Sequence, residues 1–134
     1  MKIDQEYLKT ILNTFIESPH SFIWIAAIEE RGIEIDDKFL FHMQILEDQE
    51  FIECLDKMSD LGYEITLGGQ FEWKSRPLRL TAAGHEFVDA INHAEIWDVL
   101  QAEFRDASLS TLKSAAKSLL LAFAKKQLNK YLEL

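Results

Sequence analysis

The stretch Phe39 to Cys54, FLFHMQILEDQEFIEC, passes from helical to strand periodicity with almost nothing between the two. Phe39, Met43 and Leu46 stand at i, i+4 and i+7 and give one apolar face. The opposite face, at roughly 100° per residue, carries Asp37, Phe41, Gln44, Ile45 and Asp48. Asp36 or Asp37 can cap the helix, because a short side-chain oxygen there accepts a free N–H of the first turn. Phe51 to Leu55 then alternates as a short strand. A helix feeding straight into a strand needs a second helix behind it and a second strand beside it.

Asp4 caps a first helix running to Glu17, with Tyr7, Leu8, Ile11, Leu12, Phe15 and Ile16 on its apolar face. Ser18-Pro19 ends it, since a residue before proline leaves the helical region. Ser21 to Ala27, SFIWIAA, fits either a small strand or the start of a buried short helix, which periodicity cannot separate. A winged helix would have its first small strand at Phe22 to Ile25, and Gly32 reads as a terminating turn with positive φ. Beyond the central stretch, Tyr63–Leu67 and Phe71–Lys74 flank Gly68-Gly69 as a hairpin. Leu78–Leu80 is the returning strand. Thr81 caps a helix with Phe87, Val88, Ile91, Ile96, Trp97 and Leu100 as apolar positions, and Asn92-His93 marks a break within it. Ser108 or Ser110 caps a last helix carried to Leu134. The expected architecture is α+β, mainly α: a winged helix-turn-helix with a long β-hairpin wing over residues 1–92. Additional C-terminal helices over 93–134 would pack on it or form a dimer interface.

Composition narrows the setting. The net charge is −9, and it is unevenly spread. Residues 1–107 carry nine Lys/Arg against 22 Asp/Glu, whereas 108–134 carry five Lys and one acid, Glu133. An acidic body repels nucleic acid and favours basic partners. One cysteine, Cys54, cannot form an intramolecular disulfide. No apolar run reaches the roughly 18 residues of a membrane span, and the first residues lack the apolar core of a signal peptide. The expectation is a cytoplasmic protein.

The string Arg79 to Leu100, RLTAAGHEFVDAINHAEIWDVL, resembles the Leu-Thr-x-x-Gly-His pattern of the YjcQ-like family, small winged-helix proteins of bacteria and prophages. Leu80, Thr81, Gly84, His85, Phe87, Asp89, Ala90, Ile91, Ile96 and Trp97 carry the likeness. His42, Leu46, Ile52 and Glu53 extend it into the central stretch. Phe41 stands where that family often has tyrosine, and Gln49-Glu50-Phe51 departs from its usual Ala-Gly-Leu turn. The resemblance implies a winged helix in a bacterial or phage setting. It brings no activity with it.

The residues bear on four kinds of function. DNA contact needs cations for phosphate and Arg, Lys, Asn or Gln for base edges. The third helix offers only Gln44, and residues 29–60 hold 11 acids against Arg31, Lys38 and Lys57. Lys74, Arg76 and Arg79 form the one basic cluster of the body, so a DNA-binding regulator would use this wing. Protein interaction fits the apolar Leu40, Phe41 and Ile45 ringed by acids. It also fits the last helix, with Leu119, Leu120 and Phe123, as a self-association surface. A minor reading is an acidic mimic of DNA aimed at a host nucleic-acid-binding protein. An enzyme is not expected. His20, His42, His85 and His93 are dispersed, no metal spacing occurs, and Gly68-Gly69 lacks a phosphate-loop context. No cofactor is expected. The leading expectation is a non-enzymatic interaction module with a protein partner or a second copy of itself as homodimer, with DNA disfavoured and no membrane contact.

Overall fold

The computed structural model describes residues 1–57 and 60–132. The expected end of the last helix, at 133–134, lies outside the described residues. In chain order come α1 (Gln5–Glu17), α2 (Ile25–Glu30), α3 (Asp37–Asp48), β1 (Ile52–Cys54), β2 (Tyr63–Ile65), β3 (Phe71–Trp73), β4 (Leu78–Leu80), α4 (Ala82–Ile91), α5 (Ala94–Glu103) and α6 (Leu109–Leu132). The fold is α+β and mainly helical.

Local chemistry sets most boundaries. Asp4 caps α1 by accepting from the Tyr7 amide, and Asp36 caps α3 through the Phe39 amide. Thr81 caps α4 by accepting from the Gly84 amide. Ser108 Oγ accepts from the Thr111 amide, so Ser108 rather than Ser110 opens α6. Gly32 takes a φ of +90° in the turn after α2.

β1 pairs antiparallel with β4, placing Ile52 opposite Leu80, Glu53 opposite Arg79 and Cys54 opposite Leu78. Ile23 bridges Leu78 from the other side, exchanging hydrogen bonds of 2.7 and 2.9 Å. β4 is therefore the middle of a three-element edge. The strand expected over Phe22–Ile25 shrinks to that single bridge, and Ile25 instead begins α2. Ile25 and Ile28 lie three residues apart and are both buried, so helical burial wins over strand pairing there.

β2 and β3 form a separate hairpin between β1 and β4. Tyr63, Ile65, Phe71 and Trp73 share one ribbon face, and Glu64 opposes Glu72 on the other. Trp73 meets Phe39 of α3 edge-on at 5.4 Å, which anchors the root of the hairpin to the core.

The corner between α3 and β1 departs from ordinary backbone. Glu50 has a φ of +58°, a left-handed conformation that favours glycine. The Phe51 amide donates to Leu46 O at 2.9 Å and the Glu50 amide to Glu47 O at 2.8 Å. This is the Schellman closure of a helix end, with glutamate in the position glycine usually fills. The apolar core gathers Leu8, Ile11 and Leu12 of α1 with Phe39, Met43 and Leu46 of α3. Phe87 and Ile91 of α4, Leu100 of α5 and Leu112 of α6 complete it. α5 and α6 pack on α4 and on each other.

Candidate functional site

α3 turns Phe39, Met43 and Leu46 fully into the core. Leu40, expected on the exposed patch, is also buried and leaves it. At 100° from Phe39 it lies on the flank of the helix, and neighbouring elements reach over that flank. Phe41 stays half-buried, in a hollow it shares with Ile3, Ala107 and Ser108. Ile45 is half-buried against the core, Gln44 is half-buried, and Asp37 and Asp48 are exposed. The outward face is thus a narrow apolar strip between two carboxylates. Burial pushes the carboxyl of neighbouring Glu47 up, with Asp48 and Asp60 adding to the effect. Acids crowd the C-terminal end of α3, where the helix dipole disfavours negative charge.

Each cation of the basic cluster Lys74, Arg76 and Arg79 already faces an acid. Lys74 Nζ lies 2.6 Å from Glu64, Arg76 Nε 3.6 Å from Asp60, and Arg79 2.5 Å from Glu53. Lys57 reaches the same Glu53 oxygen at 2.5 Å. The hydrogen bonds from Lys57 and Arg79 hold the Glu53 carboxyl below its ordinary value. Surface pairs of this kind add little stability. Their consequence is electrostatic, because a cation matched to a carboxylate presents little net charge to a phosphate. At the hairpin tip there is no cation at all, and Ile65 and Leu67 stand exposed. The alternation Tyr63-x-Ile65-x-Leu67 is the sequence signal for this apolar tip.

On α6 the residues singled out from sequence lie on its inner side. Leu119 and Leu120 pack against the core, and Phe123 meets the His93 ring at 4.7 Å. Leu121, Leu128, Tyr131 and Leu132 are the exposed ones, between 57 and 75 % accessible. Their spacing, i, i+7, i+10 and i+11, was legible, but a helix apolar on nearly every side hides which face is spare.

His42 is fully buried between α1 and α3. The Asp4 amide donates to its Nε2 at 3.0 Å, so Nδ1 carries the proton and donates to Lys38 O at 2.7 Å. Lys38 in turn lies 4.5 Å above the Tyr7 ring and pairs with Asp4 at 2.9 Å. Burial pushes the Tyr7 hydroxyl up to about 12. Burial also holds the imidazole below its ordinary value. The unfolded chain therefore binds the extra proton first, and the folded state resists it. His42 contributes stability that is fully present above about pH 6.5 and lost as pH falls through its folded value. Urea midpoints are expected to fall on acidification from about pH 8 to about pH 5. An NMR titration placing His42 at or above about 6.5 would contradict the assignment. His20 and His85 line a different hollow with Ser18 and Arg79. Among the described residues no three His, Cys, Asp or Glu side chains group as a metal site. Cys54 is buried, its Sγ donating to Asp60 O at 2.8 Å, and burial pushes its thiol up. Among the described residues no helix is long and apolar enough to cross a membrane.

A family model described as hypothetical protein, DUF2513, matches residues 2–110. No curated protein and no solved structure matches the chain.

Proposed function

The chain belongs to the DUF2513 family, and from that premise we propose a non-enzymatic interaction module on a winged-helix frame, directed at protein rather than DNA. Support for the frame comes from element order: helix, bridging residue, two helices, strand, hairpin, strand, helix. Ile23, β4 and β1 lie side by side in that order, with β2–β3 as the wing. The YjcQ-like likeness, with its bacterial or prophage setting and cytoplasmic address, belongs to the same proposal and rests on the motifs around Thr81 and His42.

The observation that carries the choice of partner is the pairing of Lys74, Arg76 and Arg79 with Glu64, Asp60 and Glu53. Phosphate neutralisation supplies nearly all non-specific DNA affinity. A wing whose cations are matched, beside an α3 face bounded by Asp37 and Asp48, is poorly suited to a polyanion. The same face suits a basic, partly apolar protein surface. Fluorescence anisotropy with duplex DNA from the native locus and of random sequence, at low and high salt, is expected to give no sub-micromolar binding. Salt-dependent binding with preference for the locus, weakened by Arg76→Glu and Arg79→Glu, would replace this reading with a DNA-binding regulator.

A further inference from the structure

Among the described residues, nothing of its own chain covers α6 beyond Phe123. From Ala124 to Leu132 every residue is exposed. At roughly 100° per residue, Leu109, Leu112, Ala116 and Phe123 form the face that lies on the body. Leu121, Ala124, Leu128, Tyr131 and Leu132 form a second stripe about 120° round the helix from it. A solvated helix end does not need such a stripe.

The contacts of α6 with the body lie between Leu109 and Phe123. α6 starts beside Phe41, where Ala107 and Ser108 share its hollow. Lys113 then lies 5.3 Å over Phe51, and Phe123 meets His93 further on. A helix rising about 1.5 Å per residue puts Leu128 about 22 Å along the axis beyond Lys113. A second molecule can reach it.

Charge points to the kind of molecule. α6 carries Lys113, Lys117, Lys125, Lys126 and Lys130 and no acid, on a chain whose first 107 residues are strongly acidic. Lys125 borders the exposed stripe, while Lys126 and Lys130 lie on the far side and add longer-range attraction. The matching surface is the outward face of α3. Its half-buried Phe41 and Ile45 lie between Asp37 and Asp48, neither of them ion-paired among the described residues. The acids at the C-terminal end of that helix sit against its dipole and are relieved by a cation.

We propose that the exposed end of α6 docks on the α3 face of a second copy of this chain, each copy donating its helix and receiving the other's. The exchange is isologous and closes as a two-fold dimer. It deepens, and rests on, the reading of α3 as a protein-directed face.

The experiment is analytical ultracentrifugation of the full chain at tens of micromolar, at low and high salt. Wild type is expected at twice 15.5 kDa, dissociating as salt rises. Leu128→Asp with Tyr131→Asp, and separately Asp37→Lys with Asp48→Lys, are each expected to weaken dimerisation by about tenfold or more. The thermal melt should stay cooperative, because all four side chains are surface-facing. Mixing the two variants should restore a heterodimer through the one intact contact. Monomeric wild type overturns the proposal, whether or not it sediments with vesicles containing anionic lipid. Monomer that does so assigns the helix to a membrane surface instead. A dimer lost by the α6 changes but untouched by the α3 changes also overturns it, since the stripes would then be pairing with each other. A monomer leaves the protein-directed reading standing, whereas DNA binding in the anisotropy experiment would remove that reading first.

Discussion

Gly84→Ala is expected to destabilise the protein by about 3 kcal/mol, the upper end of the cost of overpacking. A Cβ on Gly84 would sit far inside van der Waals contact of the Phe51 carbonyl oxygen, 3.1 Å from its carbon and 3.2 Å from Leu80 Cδ2. The first two are backbone atoms and cannot rotate away. Relief requires parting α4 from the α3–β1 corner, which is held by two further bonds. The Thr81 amide donates to Phe51 O at 2.9 Å, and Thr81 Oγ1 donates to Glu50 O at 2.6 Å. Alanine is the better helix former by about 1 kcal/mol, so the net sign is a contest. Because the obstruction is backbone, the clash wins. The melting temperature should fall by roughly 10 °C, scaled from the entropy of domains this size. An unchanged or raised midpoint would show that α4 can shift at little cost, and that the glycine has another purpose.

Phe51→Ala is the second large effect, about 3–5 kcal/mol, the usual range for a buried phenylalanine. The ring is fully buried and stacks on Phe87 at 4.8 Å and 20°, with the Lys113 ammonium 5.3 Å from its centroid. It therefore joins the α3–β1 corner to α4 and α6 at one point. Truncation leaves a cavity walled by three elements that are pinned elsewhere, so collapse into it is limited. Chemical denaturation of the single variants and of Phe51→Ala with Phe87→Ala would separate the stacking from the cavity. A coupling of about 0.5–1.5 kcal/mol is expected for the ring pair. A cost below about 1 kcal/mol for the single change would mean that the corner repacks.

These two residues also explain a sequence motif. In Leu80-Thr81-x-x-Gly84, the threonine caps α4 and reaches back to Glu50, and the glycine lets the helix lie on the Phe51 carbonyl. The motif was visible as a pattern and correctly marked a helix start. Its reason was not visible, because the atoms it serves lie about 30 residues earlier.

The same division runs through the molecule. Asp4, Thr81 and Gly32, a cap at Asp36 or Asp37, and the break at Asn92-His93 were determined by sequence alone, because a cap or turn is satisfied by groups within a few residues. The tertiary structure alone decided the rest. Whether Ile25 joined a strand or a helix depended on what Leu78 offered across the chain. Whether Leu40 was exposed depended on the elements laid over its flank. The charge of Lys74, Arg76 and Arg79 could be counted in sequence, but its cancellation by Glu64, Asp60 and Glu53 follows from strand register and turn geometry. α6 shows the limit most plainly. Its apolar residues were legible, yet which of them face the body and which stay open is set by where α4 and α5 end.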